Sequence, residues 1–514
     1  KNILNITFLL LTISSAWAQS QDQNYAKTTT YNDSDTTAVS SKSIQITYFD
    51  GLGRPIQQRN HGQSATGKDI VTHIEYDALG RQPKEFLNYP HNSATLNYDA
   101  GAAGATASYY ASQPFPVISG FETTQNPYSE KFFEASPLNR VFKQAAPGDA
   151  WKGNTSNDND NTIRTSYLVN SANEVKLITA YATWTATAKM YNPNVTVTAN
   201  YYAEGELYKT VTRDENWIAG SSYPNDHTIE EFKDKEGRII LKRTYSQGVN
   251  HDTYYVYDQF GNLACVMPPK AEGTAGAFNI NNLCYVYRYD ARNRLVEKKL
   301  PGKQWEYIVY DNLDRVVATG PAVSPVPDII TSNNIGWHIT KYDAFGRIAY
   351  TAWMPYVGVT SIYRKNLQDE RSLQTTNLSE SKSTTDNSIN NVILRYTNLA
   401  WPTTGYHVLS VNYYDDYSFP GAPSSFGNVE GEPVYYNLSV KPKGLQTGSW
   451  IRILERTTAQ GNITYMLYDK KGRVIRTNIE SHMGGHTVTD SKLDFSGKVL
   501  YTITRHTYLA TDTD

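Results

Sequence analysis

A short turn-forming unit recurs along this chain of 514 residues and restricts what it can fold into. Its clearest copy is residues 342–348, which read YDAFGRI. The aspartate that opens the turn can accept backbone hydrogen bonds two residues further on. The fourth turn position, counted from that aspartate, is usually Gly and otherwise Asn or Asp, the residues that tolerate a positive φ angle. The unit therefore predicts a β-hairpin whose loop ends in a left-handed residue.

The other copies keep these properties while their sequences vary. A basic or amide side chain follows the fourth position, and a β-forming apolar residue usually comes next. A degenerate copy, SPLNR at residues 136–140, precedes Val141. The turn residues predicted in this way are Asp50, Gly53 and Arg54; Asp77, Gly80 and Arg81; Asp234, Gly237 and Arg238; Asp258 and Gly261; Asp290, Asn293 and Arg294; Asp311, Asp314 and Arg315; Asp343, Gly346 and Arg347; Asp469, Gly472 and Arg473; and Asp494 and Gly497.

Composition between the turns favours strands. The chain contains 40 Tyr and only 5 Met, and Tyr, Thr and Val are typical of pleated, half-buried surfaces. We therefore predict an all-β fold in which hairpins of constant core carry variable outer loops. The formal net charge of -2 gives no global basic field, so a nucleic-acid partner is not expected.

The first residues are typical of export. Residues 1–18 read as a secretory signal peptide: Lys1 leads into an apolar run at 6–13, and AWA at 16–18 fits a cleavage site. A buried N-terminal strand is the alternative interpretation. The apolar run is too short to span a bilayer, and no other membrane span is predicted. Residues 19–42 are polar and are predicted to form a mobile leader.

The remaining chain divides into two predicted regions. Residues 43–151 form a separate N-terminal domain, with a short helix in the Ala/Gly-rich stretch at 100–107. Residues 162–514 form the repeat array, with a helical and Ser/Thr-rich insertion at about 361–391 whose helix covers about 361–376. The last repeat has no terminal cap, and repeat arrays need one. The array is therefore expected to be truncated at its C-terminus.

These repeats resemble the Rhs/YD-repeat family, which is named after the Tyr-Asp of its unit Tyr-Asp-x-x-Gly-Arg. Residues 48–57, YFDGLGRPIQ, and 134–141, EASPLNRV, resemble the N-terminal domain of unknown function on exported bacterial Rhs proteins. The resemblance implies a β-ribbon of hairpins that spirals into a hollow shell. In polymorphic toxins of this family the shell encloses a C-terminal toxic domain, and in the related teneurins it is an extracellular adhesion scaffold.

The resemblance implies a structural, non-enzymatic role at the cell exterior. The Asp-Pro self-cleavage motif of the Rhs core does not occur in this sequence, so the family's catalytic parts are not expected here. The implied partner is the downstream repeats and toxin of the same gene. The alternative is an adhesion scaffold that binds a cell-surface glycan or protein, for which an exposed aromatic patch near Trp401 or at residues 413–417 would be evidence. An enzyme would require converging buried polar groups, which the sequence does not indicate.

Two stretches could hold a metal ion, although no metal or cofactor is expected. Residues 157–161, NDNDN, alternate the oxygen ligands that calcium prefers, but the closing Glu of a calcium loop is missing. A solvated loop is the alternative. His482 and His486 are spaced like a metal pair on a helix, whereas the two glycines between them favour a surface turn.

Three further sets of side chains have a chemical and a structural interpretation. Asp415 and Asp416 lie among Tyr413, Tyr414 and Tyr417, which could stack on a sugar or form an ordinary strand end. Cys265 and Cys284 flank an insertion and could form a disulfide or remain two free thiols. The repeated turn aspartates could work as acid–base pairs, but their predicted role as turn initiators makes this chemistry unlikely.

Overall fold

The structure is a computed structural model that describes most of the chain. The described residues are 23–31, 42–112, 123–272, 280–325, 335–356, 358–436, 441–456, 458–494 and 497–508. The predicted signal peptide and the last residues of the chain lie outside them. Strands account for 48% and helices for 8% of the structure, which confirms the all-β prediction. No helix among the described residues is long and apolar enough to cross a membrane.

The described residues form thirty strands and three α-helices. The strands are β1 (Asn24–Tyr31), β2 (Lys42–Phe49), β3 (Pro55–Asn60), β4 (Ile70–His73), β5 (Lys84–Phe86), β6 (Tyr89–Pro90), β7 (Tyr128–Phe133), β8 (Val141–Ala145), β9 (Ile163–Val169), β10 (Lys176–Thr185), β11 (Met190–Tyr201), β12 (Tyr208–Arg213), β13 (Thr228–Lys233), β14 (Ile239–Ser246), β15 (Val249–Tyr257), β16 (Leu263–Met267), β17 (Tyr285–Tyr289), β18 (Leu295–Lys299), β19 (Trp305–Tyr310), β20 (Val316–Val323), β21 (Ile335–Tyr342), β22 (Ile348–Pro355), β23 (Lys382–Ile389), β24 (Val392–Tyr396), β25 (His407–Tyr414), β26 (Gln446–Arg452), β27 (Gly461–Tyr468), β28 (Val474–Glu480), β29 (His486–Leu493) and β30 (Val499–Thr507). The helices are α1 (Ala102–Ala111), α2 (Ile280–Leu283) and α3 (Ser361–Leu373).

The first of two compact units comprises residues 1–174 and 202–252. It contains a five-stranded sheet in the order β1-β2-β3-β4-β6. A second antiparallel run connects β5, β7, β8, β9, β12, β13 and β14 in that order. Because β8 pairs with β9, this run continues across residues 152–161, where the sequence predicted the end of an N-terminal domain.

The polar segment predicted to be a mobile leader contains strand β1. It pairs antiparallel with β2 along its whole length, from Asn24 opposite Phe49 to Tyr31 opposite Lys42. An edge strand needs backbone bonds on one side only, so its polar, Thr-rich sequence is compatible with pairing. Ring packing adds to this, because the Tyr25 and Tyr48 centroids are 5.8 Å apart. The prediction failed here because apolar content alone does not reveal an edge strand.

Two small clusters belong to the core of the first unit. Ile46 and Tyr48 of β2 pack with Leu96, and the Tyr48 hydroxyl donates to the Leu96 carbonyl at 2.6 Å. Helix α1 lies in the Ala/Gly-rich stretch where a helix was predicted. Its Ala102 packs against Val71 and Tyr89 of the sheet.

The second unit comprises residues 175–201 and 253–514. Here β15 to β22 and β25 to β30 form a single antiparallel meander in which consecutive strands pair. The β10–β11 hairpin joins this unit through a bridge between Tyr191 and Tyr289. The main core contains Trp337, Ile339 and Tyr350, all fully buried. The insertion between β22 and β25 carries α3 and the β23–β24 hairpin.

Helix α3 is held to the sheet by its polar buried face. Thr360 caps its N-terminus by accepting from the N–H of Tyr363 at 3.5 Å, and its buried residues Arg364, Leu367 and Gln368 share one side of the helix. The Gln368 amide donates to the Tyr310 carbonyl at 3.0 Å and accepts from the Tyr310 N–H at 2.9 Å. The Gln368 side chain therefore bonds both backbone groups of Tyr310 at the end of β19. The helix ends at Leu373, whereas the sequence predicted an end at about 376.

Candidate functional site

The turn at residues 342–348 is closed by its own aspartate. The Asp343 N–H donates to the Arg347 carbonyl at 2.8 Å, and the Gly346 N–H donates to the Asp343 carbonyl at 3.1 Å. Oδ1 of Asp343 accepts from the N–H groups of Phe345 and Arg347, both at 2.9 Å. Its Oδ2 accepts from Nε of Arg347 at 2.7 Å. Gly346 has a φ of 78°, and the strand register shifts at this point, so the loop ends in a left-handed bulge residue.

The same bonds recur in the other predicted turns. The aspartates whose Oδ1 accepts from the N–H four residues on are Asp50, Asp77, Asp234, Asp258, Asp290, Asp311, Asp469 and Asp494. The fourth-position residues with positive φ are Gly53, Gly80, Gly237, Gly261, Asn293, Asp314, Gly472 and Gly497. The arginines whose Nε donates to their own aspartate are Arg54, Arg81, Arg238, Arg294, Arg315 and Arg473. The structure thus places every predicted turn residue in one type of loop.

In several turns a tyrosine bonds to the turn before it. The Tyr342 hydroxyl donates at 2.7 Å to the carbonyl of Val316, the first residue after the preceding turn. The Tyr310 hydroxyl donates in the same way, at 2.7 Å, to the carbonyl of Leu295. Equivalent bonds join Tyr289 to Leu263, Tyr414 to Ile348, Tyr468 to Gln446 and, in the first unit, Tyr76 to Pro55. The tyrosine that directly precedes the aspartate in these copies therefore supplies a bond between consecutive hairpins.

An arginine stacks on that tyrosine from the preceding turn. In the second unit Arg294, Arg315 and Arg347 lie over the rings of Tyr310, Tyr342 and Tyr414 at 4.8, 4.8 and 4.3 Å. In the first unit Arg54 lies over Tyr76 at 4.4 Å, and Arg81 lies over Phe133 at 4.7 Å. We call these arginine–aromatic pairs, together with the tyrosine hydroxyl bonds, the turn spine of each unit. A guanidinium over a ring is attracted by the ring quadrupole, so the spine stabilises the stacking of turns.

The degenerate copy uses a glutamate in place of the aspartate. The Glu134 N–H donates to the Arg140 carbonyl at 2.9 Å, and Asn139 has a φ of 54°. Hydrogen bonds from the Arg140 guanidinium lower the pKa of Glu134 to about 2. Arg140 lies over the Tyr167 ring at 4.8 Å, as the other turn arginines do over their aromatics. The longer glutamate side chain thus closes a longer loop with the same spine contacts.

One turn of the spine was missed by the sequence analysis because an insertion splits it. The Asp415 N–H donates to the Leu445 carbonyl at 3.0 Å, and the Gly444 N–H donates to Oδ1 of Asp415 at 2.7 Å. Gly444 has a φ of 84°. Arg347 binds both oxygens of Asp415, at 3.0 and 2.8 Å, and these bonds lower the pKa of that carboxyl. Residues 416–443 thus interrupt a repeat of which only the Tyr-Asp pair is visible in the sequence.

In the loop at residues 157–161, which was considered for calcium, the carboxylates pair with basic side chains of the protein. Asp160 receives Lys143 Nζ at 3.0 Å and Arg164 Nη2 at 2.6 Å, and Asp158 lies 3.3 Å from Lys143. Lys143 and Arg164 are both 4% exposed. Burial would raise the pKa of Asp160, but hydrogen bonds from the Asn154 N–H and its other donors lower it to about 2. The acidic loop therefore neutralises the positive charges of two buried basic side chains. A local sequence pattern cannot reveal this pairing.

His482 and His486 lie at a hairpin turn between β28 and β29. The Ser481 N–H donates to the Gly485 carbonyl at 2.8 Å, and the Gly484 N–H donates to the Ser481 carbonyl at 2.9 Å. This is the structural interpretation that the two glycines favoured. Within the described part of the chain, no three His, Cys, Asp or Glu side chains are grouped to hold a metal ion.

The aromatic residues considered for sugar binding belong to the core. Tyr413 and Tyr417 are 4% and 7% exposed, and the Tyr413 ring stacks on Phe419 with centroids 4.5 Å apart. Asp416 pairs with Lys382 at 3.2 Å. The half-buried Trp401 carries Arg371 on its ring at 4.4 Å. These side chains do not form the exposed patch that the adhesion alternative requires.

Cys265 and Cys284 are buried free thiols. Their mutual hydrogen bond and burial raise the pKa of Cys265, so this side chain stays protonated at neutral pH. The sequence left open a disulfide or two free thiols, and the structure contains two free thiols.

The fold and the turn spine define an all-β protein built from stacked hairpins. The profile of a domain family of unknown function, DUF6443, matches residues 21–166, which includes the region 43–151 predicted as an N-terminal domain. No curated protein matches the chain.

Several solved structures are similar at low identity. A chain in the crystal structure of TcdB2-TccC3-TEV is 14% identical, with coverage of 99% of this chain and 22% of that chain and a TM-score of 0.40. TcdB2-TccC3 without its hypervariable C-terminal region is 14% identical, with coverage of 92% and 21% and a TM-score of 0.36. The Tc holotoxin pore of Photorhabdus luminescens is 13% identical, with coverage of 90% and 20% and a TM-score of 0.36. The chain spans about a fifth of the length of these chains.

Proposed function

We propose that this chain is the front part of an exported Rhs/YD-repeat protein and forms wall that encloses a C-terminal toxin or effector of the same gene. The observation that carries the proposal is the turn spine, because its tyrosine and arginine contacts join successive turns within each unit. The Tyr342 hydroxyl bond and the Arg315 stack on the same ring are its clearest example. A ribbon bonded in this way grows by adding hairpins, as a wall must.

The turn side chains support a structural role. In the 342–348 turn, both oxygens of Asp343 are used by groups of the same loop, Oδ1 by two N–H groups and Oδ2 by Arg347. These bonds close the loop, so the carboxylate of Asp343 has a structural role in the turn. The match to a domain family at residues 21–166 and the resemblance of the repeats to Rhs proteins are consistent with this proposal.

The test uses the native protein purified from the organism that makes it. Fractionated culture, intact mass and electron microscopy of the purified particle are the measurements. The proposal expects a secreted, longer polypeptide that forms a hollow particle and protects its C-terminal domain from added protease. A product confined to the cytoplasm would contradict export. A solid particle, or a C-terminal domain cleaved as fast as the isolated domain, would contradict enclosure.

Two variants test whether enclosure depends on the turn spine. Replacing Tyr342 by Leu and Arg315 by Gln together removes one bond between consecutive hairpins, and protease protection should fall. Leu373→Ala is the matched control, because Leu373 is 82% exposed at the end of α3, and protection should not change. If the double variant protects the C-terminal domain as well as Leu373→Ala does, enclosure does not depend on these spine contacts.

A further inference from the structure

A buried lysine lies behind the turn at residues 342–348. Strand β21 alternates, so Lys341 points to the same side as Ile339 and Trp337, into the core. The Lys341 side chain is 0% exposed, and its Nζ is 3.0 Å from Oε1 of Glu380, which is also 0% exposed. Burial outweighs this ion pair and lowers the pKa of Lys341 to about 8. The neutral amine, which is the nucleophilic form, is therefore accessible near physiological pH.

The same amine touches a side-chain amide. Nζ of Lys341 donates to Oδ1 of Asn398 at 2.7 Å. The amide carbon is one bond from that oxygen, so the amine and the carbon are in van der Waals contact. Such contact is the starting arrangement for an addition reaction between a nucleophile and a carbonyl group. Asn398 lies in the segment that leads from β24 to β25, far from Lys341 along the chain.

The amide carbonyl is polarised for attack. The Tyr406 hydroxyl donates to Oδ1 of Asn398 at 2.6 Å, and a donor at this position stabilises the negative charge that develops on the oxygen during addition. Nδ2 of Asn398 donates to the Thr403 carbonyl at 2.8 Å. Because this bond fixes the amide orientation, the carbonyl oxygen faces Lys341 and the hydroxyl.

Glu380 is placed to move the protons. Its Oε1 contacts Nζ of Lys341, while Oε2 accepts from the Thr397 hydroxyl at 2.7 Å and the Leu399 N–H at 3.0 Å. The Ala400 N–H also donates to Oε1, at 3.1 Å. These donors hold the carboxylate rigidly beside the amine, where it can accept a proton from the ammonium and return it to the leaving nitrogen.

We propose that Lys341 and Asn398 form an intramolecular isopeptide bond, with Glu380 as the acid–base group. Glu380 removes a proton from the Lys341 ammonium, and the free amine adds to Cγ of Asn398. The Nζ–Cγ bond forms, the Cγ–Nδ2 bond breaks, and protons from Nζ pass through Glu380 to Nδ2. The products are a secondary amide and ammonium, so the positive charge of the lysine leaves with the nitrogen. No oxidant, water or second reactant is consumed.

The cross-link would fasten the insertion between β22 and β25 to the sheet. Lys341 is adjacent to the spine residue Tyr342, and the Glu380 N–H donates to the Tyr342 carbonyl at 2.7 Å. Lys341, Ala400 and Trp401 line one pocket on this side of the insertion. A covalent bond here would keep the spine in place when the insertion is pulled or partly unfolded.

The first experiment measures the mass of the folded, purified chain and of its protease fragments. The proposal expects a mass lower than the sequence mass by one ammonia molecule, with one branched peptide that contains both Lys341 and Asn398. If both residues are recovered only in separate, unmodified peptides after prolonged incubation of the folded protein above pH 8, the proposal is wrong.

Three variants test the mechanism. Glu380→Gln keeps the size of the side chain but removes the base, so the branched peptide should disappear while the near-ultraviolet circular dichroism is retained. Asn398→Asp should still cross-link but release water in place of ammonia, a readout that does not depend on the folding of the first variant. Asn366→Ala, at an exposed position of α3, is the control and should cross-link fully. A folded Glu380→Gln protein that cross-links as the wild type does would overturn the proposal, as would an Asn398→Asp protein that loses no water.

Discussion

The left-handed residue of the turn at 342–348 is required by the backbone and not by the space around it. Gly346 has a φ of 78°, while Asn293 and Asp314 occupy the same turn position, each with a φ of 58°. A Cβ added at Gly346 would meet nothing within 4 Å. The penalty for another residue is therefore conformational, about 1–2 kcal/mol for most L-residues in the left-handed region.

Gly346→Val and Gly346→Asn should therefore differ in stability. We expect the valine variant to lose about 1–2 kcal/mol of unfolding free energy, because a β-branched residue is strained at positive φ. The asparagine variant should lose much less, since Asn293 already adopts this conformation in the same protein. Urea denaturation of both variants gives the comparison. Equal losses would mean that side-chain volume, and not backbone conformation, limits this position.

At the scale of the element, the spine makes a hairpin depend on its neighbour. Tyr76 donates to the Pro55 carbonyl at 2.9 Å and carries Arg54 over its ring at 4.4 Å. We expect Tyr76→Phe to cost about 1 kcal/mol, the usual net value of one hydrogen bond. A double-mutant cycle of Tyr76→Leu with Arg54→Gln should give a coupling energy of about 0.5–1 kcal/mol from the stacking. Leu52→Ala is the control, since Leu52 is 79% exposed in the same turn, and additive losses at Tyr76 and Arg54 would refute the coupling.

One buried ion pair contributes to the anchoring of helix α3. Arg364 Nη2 lies 3.3 Å from Oε1 of Glu297, and their side chains are 1% and 0% exposed. Arg364→Ala should cost about 3 kcal/mol, near the lower end for a broken buried pair, because Arg288 still binds Glu297 at 3.0 Å. Hydrogen exchange of residues 361–373 should accelerate.

The neighbouring lysine of α3 provides the control for this helix. Lys365 pairs with Asp369 at 2.9 Å on the helix surface, and exposed pairs of this kind contribute little. Lys365→Ala should therefore leave the exchange rates of the helix almost unchanged. Slow exchange in the Arg364→Ala protein would show that the backbone bonds of Gln368 hold the helix without the ion pair.

Local features of this fold could be predicted from the sequence, and features that depend on distant residues could not. The turns could be predicted because their key residues, such as Asp343 and Gly346, lie within a single loop. The split turn was not, because Asp415 and Gly444 meet only after the intervening segment has folded. Lys341 was overlooked although the alternation of β21 places it on the side of Ile339. An inward-facing lysine in an apolar strand was the available signal, but its partners Glu380 and Asn398 come from an insertion.

At the scale of the whole molecule, tyrosine burial connects stability to alkaline pH. Most of the spine tyrosines use their hydroxyl as a donor, which requires the protonated form. Burial, with Asp258 nearby, raises the pKa of Tyr289 from 10.0 to about 12. Burial likewise raises the pKa of Tyr406 to about 12. The folded chain therefore retains protons that the unfolded chain has already released above pH 10.

This difference fixes the direction of the pH dependence. A group whose pKa is raised by folding stabilises the protein fully below its unfolded value, and that contribution is lost as the pH rises through the folded value. For Tyr289 and Tyr406 the window lies between about pH 10 and about pH 12. We expect the circular dichroism of the strands to disappear cooperatively in this window. Exposed tyrosines ionise gradually from about pH 10, and a further step in tyrosinate absorbance should accompany the unfolding.

Tyr289→Phe tests the origin of the alkaline transition. The substitution removes the bond from the hydroxyl to the Leu263 carbonyl, which is 2.9 Å long, so the variant should be about 1 kcal/mol less stable at neutral pH. It also removes one titrating group, so its unfolding free energy should fall less between pH 10 and pH 12, and the two stability curves should converge. Tyr181→Phe, at a side chain that is 66% exposed, should follow the wild type throughout. Parallel curves for Tyr289→Phe and the wild type would assign the alkaline loss to other groups. If the difference in tyrosinate absorbance between the wild type and Tyr289→Phe appears before any strand signal is lost, the Tyr289 hydroxyl ionises in the folded state.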